Sequence, residues 1–323
     1  MKPYKIVADT TNMSHEDWLN IRQYSVGGSE IAAVCGLSRW KSPFEVWCEK
    51  VAPDQIKKTP ATAAMTFGTL LEPVIRNYFR KQNSLEVSEA KFIFAHKDYQ
   101  YMTANIDGYV KLADGKYAVL EIKTANSFAS DEWSTNGLPI EYYCQVQYYM
   151  AITGMTQAYV AVLIGGQDYR QLLIDKDQEV IDLIMARCQD FWENHVLTKT
   201  PPSVSDKDSA LLSQLYPNSK PQTVMLGKDA EELLQEHEAA KAAMDEAKKR
   251  KDAVEAKLKA LMGEAEAAVA GEYKISWKAS TRSSFSSDKA KEMLTIEQIQ
   301  ACTVSSTVRT MRITKSKPKS TKK

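Results

Sequence analysis

The stretch NIDGYVKLADGKYAVLEIKT, residues 105–124, decides the fold. Residues 104–112 and 117–124 alternate as strands do, and Asp114-Gly115 between them marks a turn. In a strand from Tyr117 to Thr124, Val119, Glu121 and Lys123 share one face, while Leu120 and Ile122 point to the other. A carboxylate and an amine two residues apart on a buried strand are costly unless they act together. The loop length decides what stands opposite them. A two-residue Asp114-Gly115 loop would set Asp107 opposite Ile122 and turn the two carboxylates to different faces. A three-residue loop, Ala113-Asp114-Gly115, sets Asp107 opposite Glu121, and Gly115 supplies the left-handed residue that such loops need. The three-residue loop is therefore predicted. It gathers two carboxylates and a lysine into a site suited to a hard divalent cation.

Upstream, TFGTLLEPVIRNYFRKQ (66–82) carries Leu71, Ile75, Tyr78 and Phe79 at helical spacing. Glu72 lies toward Ile75 and Phe79, where an unpaired carboxylate would cost several kcal/mol or stay protonated. A metal or water network accounts for it, and so does an ion pair with Arg76 on the next turn. Ser14 and Ser42 open two earlier helices as N-caps, the second with Pro43 at its first position. Downstream the chain reads as an aromatic-rich helix around 140–152, strands at 157–164 and 169–174, and a helix over 176–196. The breaker Thr200-Pro201-Pro202 follows. The fold class is mixed α/β.

The composition changes after Tyr216-Pro217-Asn218. Residues 229–270 are rich in Ala, Glu and Lys, with a thin heptad-like stripe from Leu233 through Met244, Val254 and Leu261 to Ala265 and Ala268. His237 and Lys251 interrupt it, which favours a long packed helix or helical hairpin over a self-associating coiled coil. GEYKISWKAS (271–280) reads as a short strand. The closing KSKPKSTKK holds five lysines in nine residues and reads as a solvated, disordered tail, or as a transient grip on phosphates.

Cys35, Cys48, Cys144, Cys188 and Cys302 are scattered and never form a C-x-x-C pair, which argues against a disulfide framework or a zinc ribbon. His15, His96, His195 and His237 are equally dispersed, so a metal would sit on oxygen ligands. No apolar run approaches the roughly 18 residues of a membrane span, and MKPYKIVADTT lacks the layout of a signal peptide, so a cytoplasmic location is expected. A net charge of +1 means that attraction for phosphate must come from local patches.

Taken alone, D…E-x-K is a weak pattern, because many hairpins contain it by accident. Five ordered segments are more specific: WLNIRQYSVGGSEIAAVCG (18–36), FGTLLEP (67–73), NIDGYV (105–110), LEIKT (120–124) and YYCQVQYYMAITG (142–154). Together they resemble the YqaJ-type viral recombinase nucleases, which are similar to lambda exonuclease within the PD-(D/E)XK superfamily, over roughly residues 14–200. The resemblance implies a restriction-endonuclease-like core, a central mixed sheet flanked by helices, over residues 1–216. Residues 217–280 would be a helical extension with a short strand, and 281–323 a C-terminal segment ending in the basic tail.

The resemblance also implies roles. Asp107 and Glu121 would ligate Mg²⁺, with Mn²⁺ as a substitute, helped by the main-chain carbonyl of Ile122. Lys123 would orient or activate the attacking water. Glu72 would join the metal network directly or through water, and Gln145 would contact the site. Arg22 and Ser29 match the positions that hold the 5′-phosphate of the digested strand; a salt bridge and a helix N-cap at Gly28-Ser29 are the plainer reading. The expected activity is 5′-to-3′ digestion of double-stranded DNA from a free end, leaving a 3′ single strand for a phage annealing protein of the RecT or beta kind. A homo-oligomeric ring, a trimer, is implied as well, in a bacterial host cell with a phage or prophage source. Neither a membrane nor an iron–sulfur cluster is expected, since the clustered cysteines of some RecB-like nucleases are missing here. Ile106-Asp107 replaces the motif's Pro-Asp, and nothing in the match covers residues 217–323. Two other readings stand: a RecB-like nuclease or endonuclease with the same core, and a DNA-binding or partner-recruiting protein that retains the fold.

Overall fold

The computed structural model describes residues 2–57, 60–133, 137–305 and 309–314, so the KSKPKSTKK tail lies outside the described residues. The chain divides into two compact units, Met1–Pro217 and Asn218–Lys323. The first unit contains strands β1 (Tyr4–Asp9), β2 (Val26–Gly27), β3 (Glu86–Glu89), β4 (Phe92–His96), β5 (Met102–Ala104), β6 (Gly108–Lys111), β7 (Tyr117–Ala125), β8 (Gln157–Ile164) and β9 (Asp168–Asp175). Its helices are α1 (His15–Gln23), α2 (Gly28–Val34), α3 (Pro43–Val51), α4 (Ala63–Asn83), α5 (Ile140–Thr153), α6 (Gln178–Asp190) and α7 (Ser209–Leu215). Ser14 and Ser42 cap α1 and α3 by accepting the backbone N–H of Asp17 and of Glu45, each at 3.0 Å. After α6 the chain continues as a π-helical turn, Phe191–Val196.

The hairpin forms with the three-residue loop. Gly115 takes φ +82°, Leu112 donates to the Lys116 carbonyl at 2.8 Å, and Gly115 donates to the Leu112 carbonyl at 3.0 Å. The ladder then runs Lys111↔Tyr117 to Gly108↔Leu120, which leaves Asp107 at its end, where it accepts the Ile122 N–H beside Glu121. Gly115→Ala forces a Cβ into the left-handed region and should cost about 1 kcal/mol in a urea titration. An unchanged midpoint would mean that the loop can re-form without that conformation.

Strands β3-β6-β7-β8-β9 form one sheet, antiparallel throughout except for the parallel pair β7–β8. A second sheet, β1-β4-β5-β2, has one parallel pair, β2–β5. With helices on both faces this is the mixed α/β layout expected. The two faces of β7 separate two cores. Val119 joins Phe94, Tyr148 and Tyr149 on one side, while Ala118, Leu120 and Ile122 pack with Ile75 and Phe79 of α4 on the other. Helix α5 carries the chain from β7 to β8 and touches β4, β5, β7, β8, α2 and α6. Being surrounded, it is apolar or buried almost all round.

In the second unit α8 is a single 35-residue helix, Lys228–Met262. The heptad-like stripe continues in sequence to Ala268, but the helix stops earlier. Gly263 takes φ +58° and ends it, and Ala268 lies in β10 (Ala267–Ala270), which pairs with β11 (Tyr273–Ser276). Short helices α9 (Ser287–Met293) and α10 (Ile296–Ala301) follow. No helix among the described residues is long and apolar enough to cross a membrane.

Candidate active site

Asp107, Glu121 and Lys123 meet where β6 begins beside β7. The Ile122 backbone N–H donates to Asp107 Oδ2 at 2.7 Å, which fixes that carboxylate against the neighbouring strand. Glu121 is 2% exposed, and its Oε1 receives both the Lys123 ammonium at 2.5 Å and the Gln145 amide at 2.7 Å. Its Oε2 receives nothing. Among the described residues, the only buried side-chain nitrogen and oxygen atoms with no hydrogen-bond partner are Glu121 Oε2 and Arg76 Nε. Such atoms are rare in folded proteins and need a reason. Burial, and then the nearby Asp107 charge, push the Glu121 carboxyl up, with Lys123 working against them. Burial also raises Asp107, which Lys123 and the Ile122 N–H partly offset. Burial pulls the Lys123 ammonium down, but Glu121 and Asp107 outweigh it and hold it above the ordinary lysine value.

Of the two roles open to Glu72, the structure forms the ion pair with Arg76. The carboxylate is still not isolated from the centre, since burial and then the Asp107 charge raise it to about 7. Arg76 is 13% exposed, also lies near Glu89 at 3.8 Å, and its charge lowers Asp107. The sequence suggested Arg76 only as a helix-surface partner; its place at i+4 from Glu72 gives no hint that it reaches Asp107.

Gln145 joins the centre to α2. Its Nε2 donates to Glu121 Oε1 and, at 2.9 Å, to the Tyr149 hydroxyl. The Tyr149 ring lies against Gly28, where an added Cβ would stand 2.2 Å from the ring. Arg22 and Ser29 are bonded to each other, Nη2 to Oγ at 3.1 Å, and Arg22 also pairs with Glu30 at 2.9 Å and lies over the Trp18 ring at 4.7 Å. The salt bridge of the plainer reading is therefore present. The cap is not at Gly28-Ser29 but one residue earlier, at Gly27, whose N–H the Glu30 side chain accepts at 2.9 Å. Two contacts escaped the sequence. Tyr142 places its ring 4.9 Å from the Lys123 ammonium, and Lys50 is buried against Glu30. Lys50 follows the fully buried Val46 by four residues on α3, and a lysine at that core spacing was the available signal.

The donor set suits a hard cation. Glu121 Oε2 is a buried oxygen without a proton donor, the second carboxylate is close enough for its charge to raise this one, and a divalent ion bound by oxygen would supply the missing charge. Among the described residues no three Asp, Glu, His or Cys side chains are grouped for a metal.

A family model for the YqaJ-like viral recombinase domain matches residues 17–156. YqaJ of Bacillus subtilis (strain 168) is 30% identical over 296 residues, covering 90% of this chain and 92% of its own. Among solved structures, the alkaline exonuclease of Laribacter hongkongensis is similar at 24% identity and a TM-score of 0.48, over 57% of this chain and 94% of that one. A phage-related exonuclease from Haemophilus somnus is similar at 13% identity and a TM-score of 0.42, over 56% of this chain and 99% of that one. With the identity to YqaJ running nearly end to end, the chain belongs to the YqaJ-like viral recombinase family.

Proposed function

We propose that this protein is a metal-dependent deoxyribonuclease that digests linear double-stranded DNA from the 5′ end. The observation that carries the reading is the buried, unpartnered Glu121 Oε2, on a carboxylate that shares its other oxygen with Lys123 and lies close enough to Asp107 to be raised by its charge. A cation would satisfy that oxygen.

When bound, Mg²⁺, or Mn²⁺ in its place, lowers the pKa of water and offsets charge building on the phosphate. Asp107 and Glu121 would hold it, with the Ile122 carbonyl. Gln145 occupies Glu121 Oε1 and so leaves Oε2 as the free donor. Lys123 keeps its ammonium protonated beside two carboxylates, which suits it to orient water and neutralise a phosphoryl oxygen rather than to accept a proton. Glu72 acts through water or through Arg76. Arg22 and Ser29 receive the 5′-phosphate, an Arg fork and a hydroxyl being matched to that group. The product would be a 3′ single strand, suited to an annealing protein of the RecT or beta kind, and the working form would be a ring-shaped homo-oligomer. Catalysis is assigned to residues 1–216, with 217–323 accessory.

The test incubates the protein with 5′-phosphorylated linear duplex, 5′-hydroxyl duplex and closed circular DNA, in Mg²⁺ or in EDTA. Mononucleotides should appear only from linear DNA, faster with the 5′-phosphate, and not in EDTA. Lys123→Ala should lower the rate on the order of 10²-fold. Cutting of the circle would favour an endonuclease, and no metal-dependent cutting would leave a DNA-binding protein that retains the fold.

A further inference from the structure

Lys50 is buried, its side chain 2% exposed against 20% for Lys123, and its hydrogen bonds go to neither Asp107 nor Glu121. Its ammonium meets three acceptors: Glu30 Oε1 at 2.9 Å, Glu30 Oε2 at 3.0 Å and the Arg22 main-chain carbonyl at 2.6 Å. Three acceptors match the three protons of a charged ammonium. Glu30, 4% exposed, takes in addition the Gly27 N–H and the Arg22 Nη2. Burial lowers the Lys50 ammonium, which Glu30 partly offsets, while Arg22 and Lys50 together hold the Glu30 carboxyl below its usual range. Two cations therefore share one carboxylate, and an excess of one positive charge remains. The more accessible cation is Arg22, whose side chain is 26% exposed against 2% for Lys50.

We infer that Lys50 is a positioning residue that confers preference for a 5′-phosphorylated end, by offsetting the Glu30 charge so that the Arg22 cation keeps a net attraction for the phosphate. The inference rests on the reading that Arg22 and Ser29 receive that phosphate. Without Lys50, Glu30 and Arg22 would form a neutral pair, and the terminal phosphate would meet little net attraction. The bond from Lys50 to the Arg22 carbonyl also fixes the end of α1 against α3, which sets where the guanidinium is presented.

The test compares wild type, Lys50→Met and the double variant Lys50→Met/Glu30→Gln, each with Mg²⁺, on linear duplexes that differ only in a 5′-phosphate or a 5′-hydroxyl. Lys50→Met should raise KM for the phosphorylated duplex roughly tenfold with little change in kcat, and erase most of the preference over the hydroxyl end. The double variant restores the excess positive charge on Arg22 and should recover most of the preference, a rescue that a purely structural role for Lys50 would not give. A wild-type preference that survives in Lys50→Met, or a double variant no better than the single one, would overturn the inference alone. A wild type that digests both ends equally would overturn the end-recognition reading, and this inference with it.

Discussion

Glu121→Gln is expected to raise the melting temperature of the metal-free protein while lowering DNA hydrolysis about 10³-fold or more. The two effects share one cause. Glu121 is 2% exposed and leaves Oε2 without a partner, and burial together with the Asp107 charge outweighs its bond to Lys123. A glutamine keeps the shape and removes the like-charge repulsion, but it no longer offers a cation a second carboxylate. The pH dependence has a definite sign. Burial and neighbouring carboxylates raise both Glu121 and Glu72 in the folded state, so the folded chain binds more protons than the unfolded one above the ordinary carboxylate range. Their contribution to stability is full at low pH and is lost as pH rises, for Glu72 through about 7. Thermal unfolding in EDTA at pH 5 and pH 8 should therefore show a loss in wild type that is smaller in Glu121→Gln. Mg²⁺ should restore wild type more than the variant. A variant that still digests DNA at the wild-type rate would remove Glu121 from the centre. A lower melting temperature without metal would show that the Lys123–Glu121 pair stabilises more than the repulsion costs.

Gly28→Ala should be the most damaging small substitution outside the carboxylates. Its Cβ would lie 2.2 Å from Tyr149 Cε1, 2.6 Å from Cζ and 2.9 Å from the hydroxyl, and Tyr149 is only 3% exposed, with nowhere to move. Helix α2 must lift from α5 or the ring must turn, and either breaks the bond from Gln145 to Tyr149 and displaces Ser29. A loss of about 1–3 kcal/mol is expected in chemical denaturation, with a fall in activity alongside it. Gly27→Ala is the control. Its Cβ would meet nothing nearer than 3.8 Å, so its cost should be well below that at Gly28. Equal effects at the two positions would mean that the contact with Tyr149 is not what requires glycine.

The hairpin was legible because its information is local. Alternation names the strands, and Gly115 decides the loop and hence the face that Asp107 shows. The second sheet was not legible, since β2 has two residues and β5 three, too few for a period to register. Gln145 and Gln147 look alike in sequence, two residues apart on α5. One reaches Glu121, while the other binds the Asp175 carbonyl and the Asp177 N–H, and only the packing of the helix separates them. Glu72 carried two readings because helical spacing places it near both Arg76 and the apolar side. The charge balance around Arg22 depends on Lys50, 28 positions away, and on the folding of α3 against α1 and α2, which no local pattern encodes.

The parallel pairing of β7 with β8 has a consequence for the order of assembly. The hairpin of β6 and β7 closes over a three-residue loop, a local step of the kind that takes about microseconds, and it sets Asp107 beside the strand that carries Glu121 and Lys123. Gln145 arrives only when α5 has crossed over and β8 has docked, a long-range step that is intrinsically slower. Tyr149, which seats Gly28 and so fixes Ser29, travels on the same helix. A chain whose α5 has not yet crossed over would therefore hold these three residues without Gln145 and Tyr149 beside them.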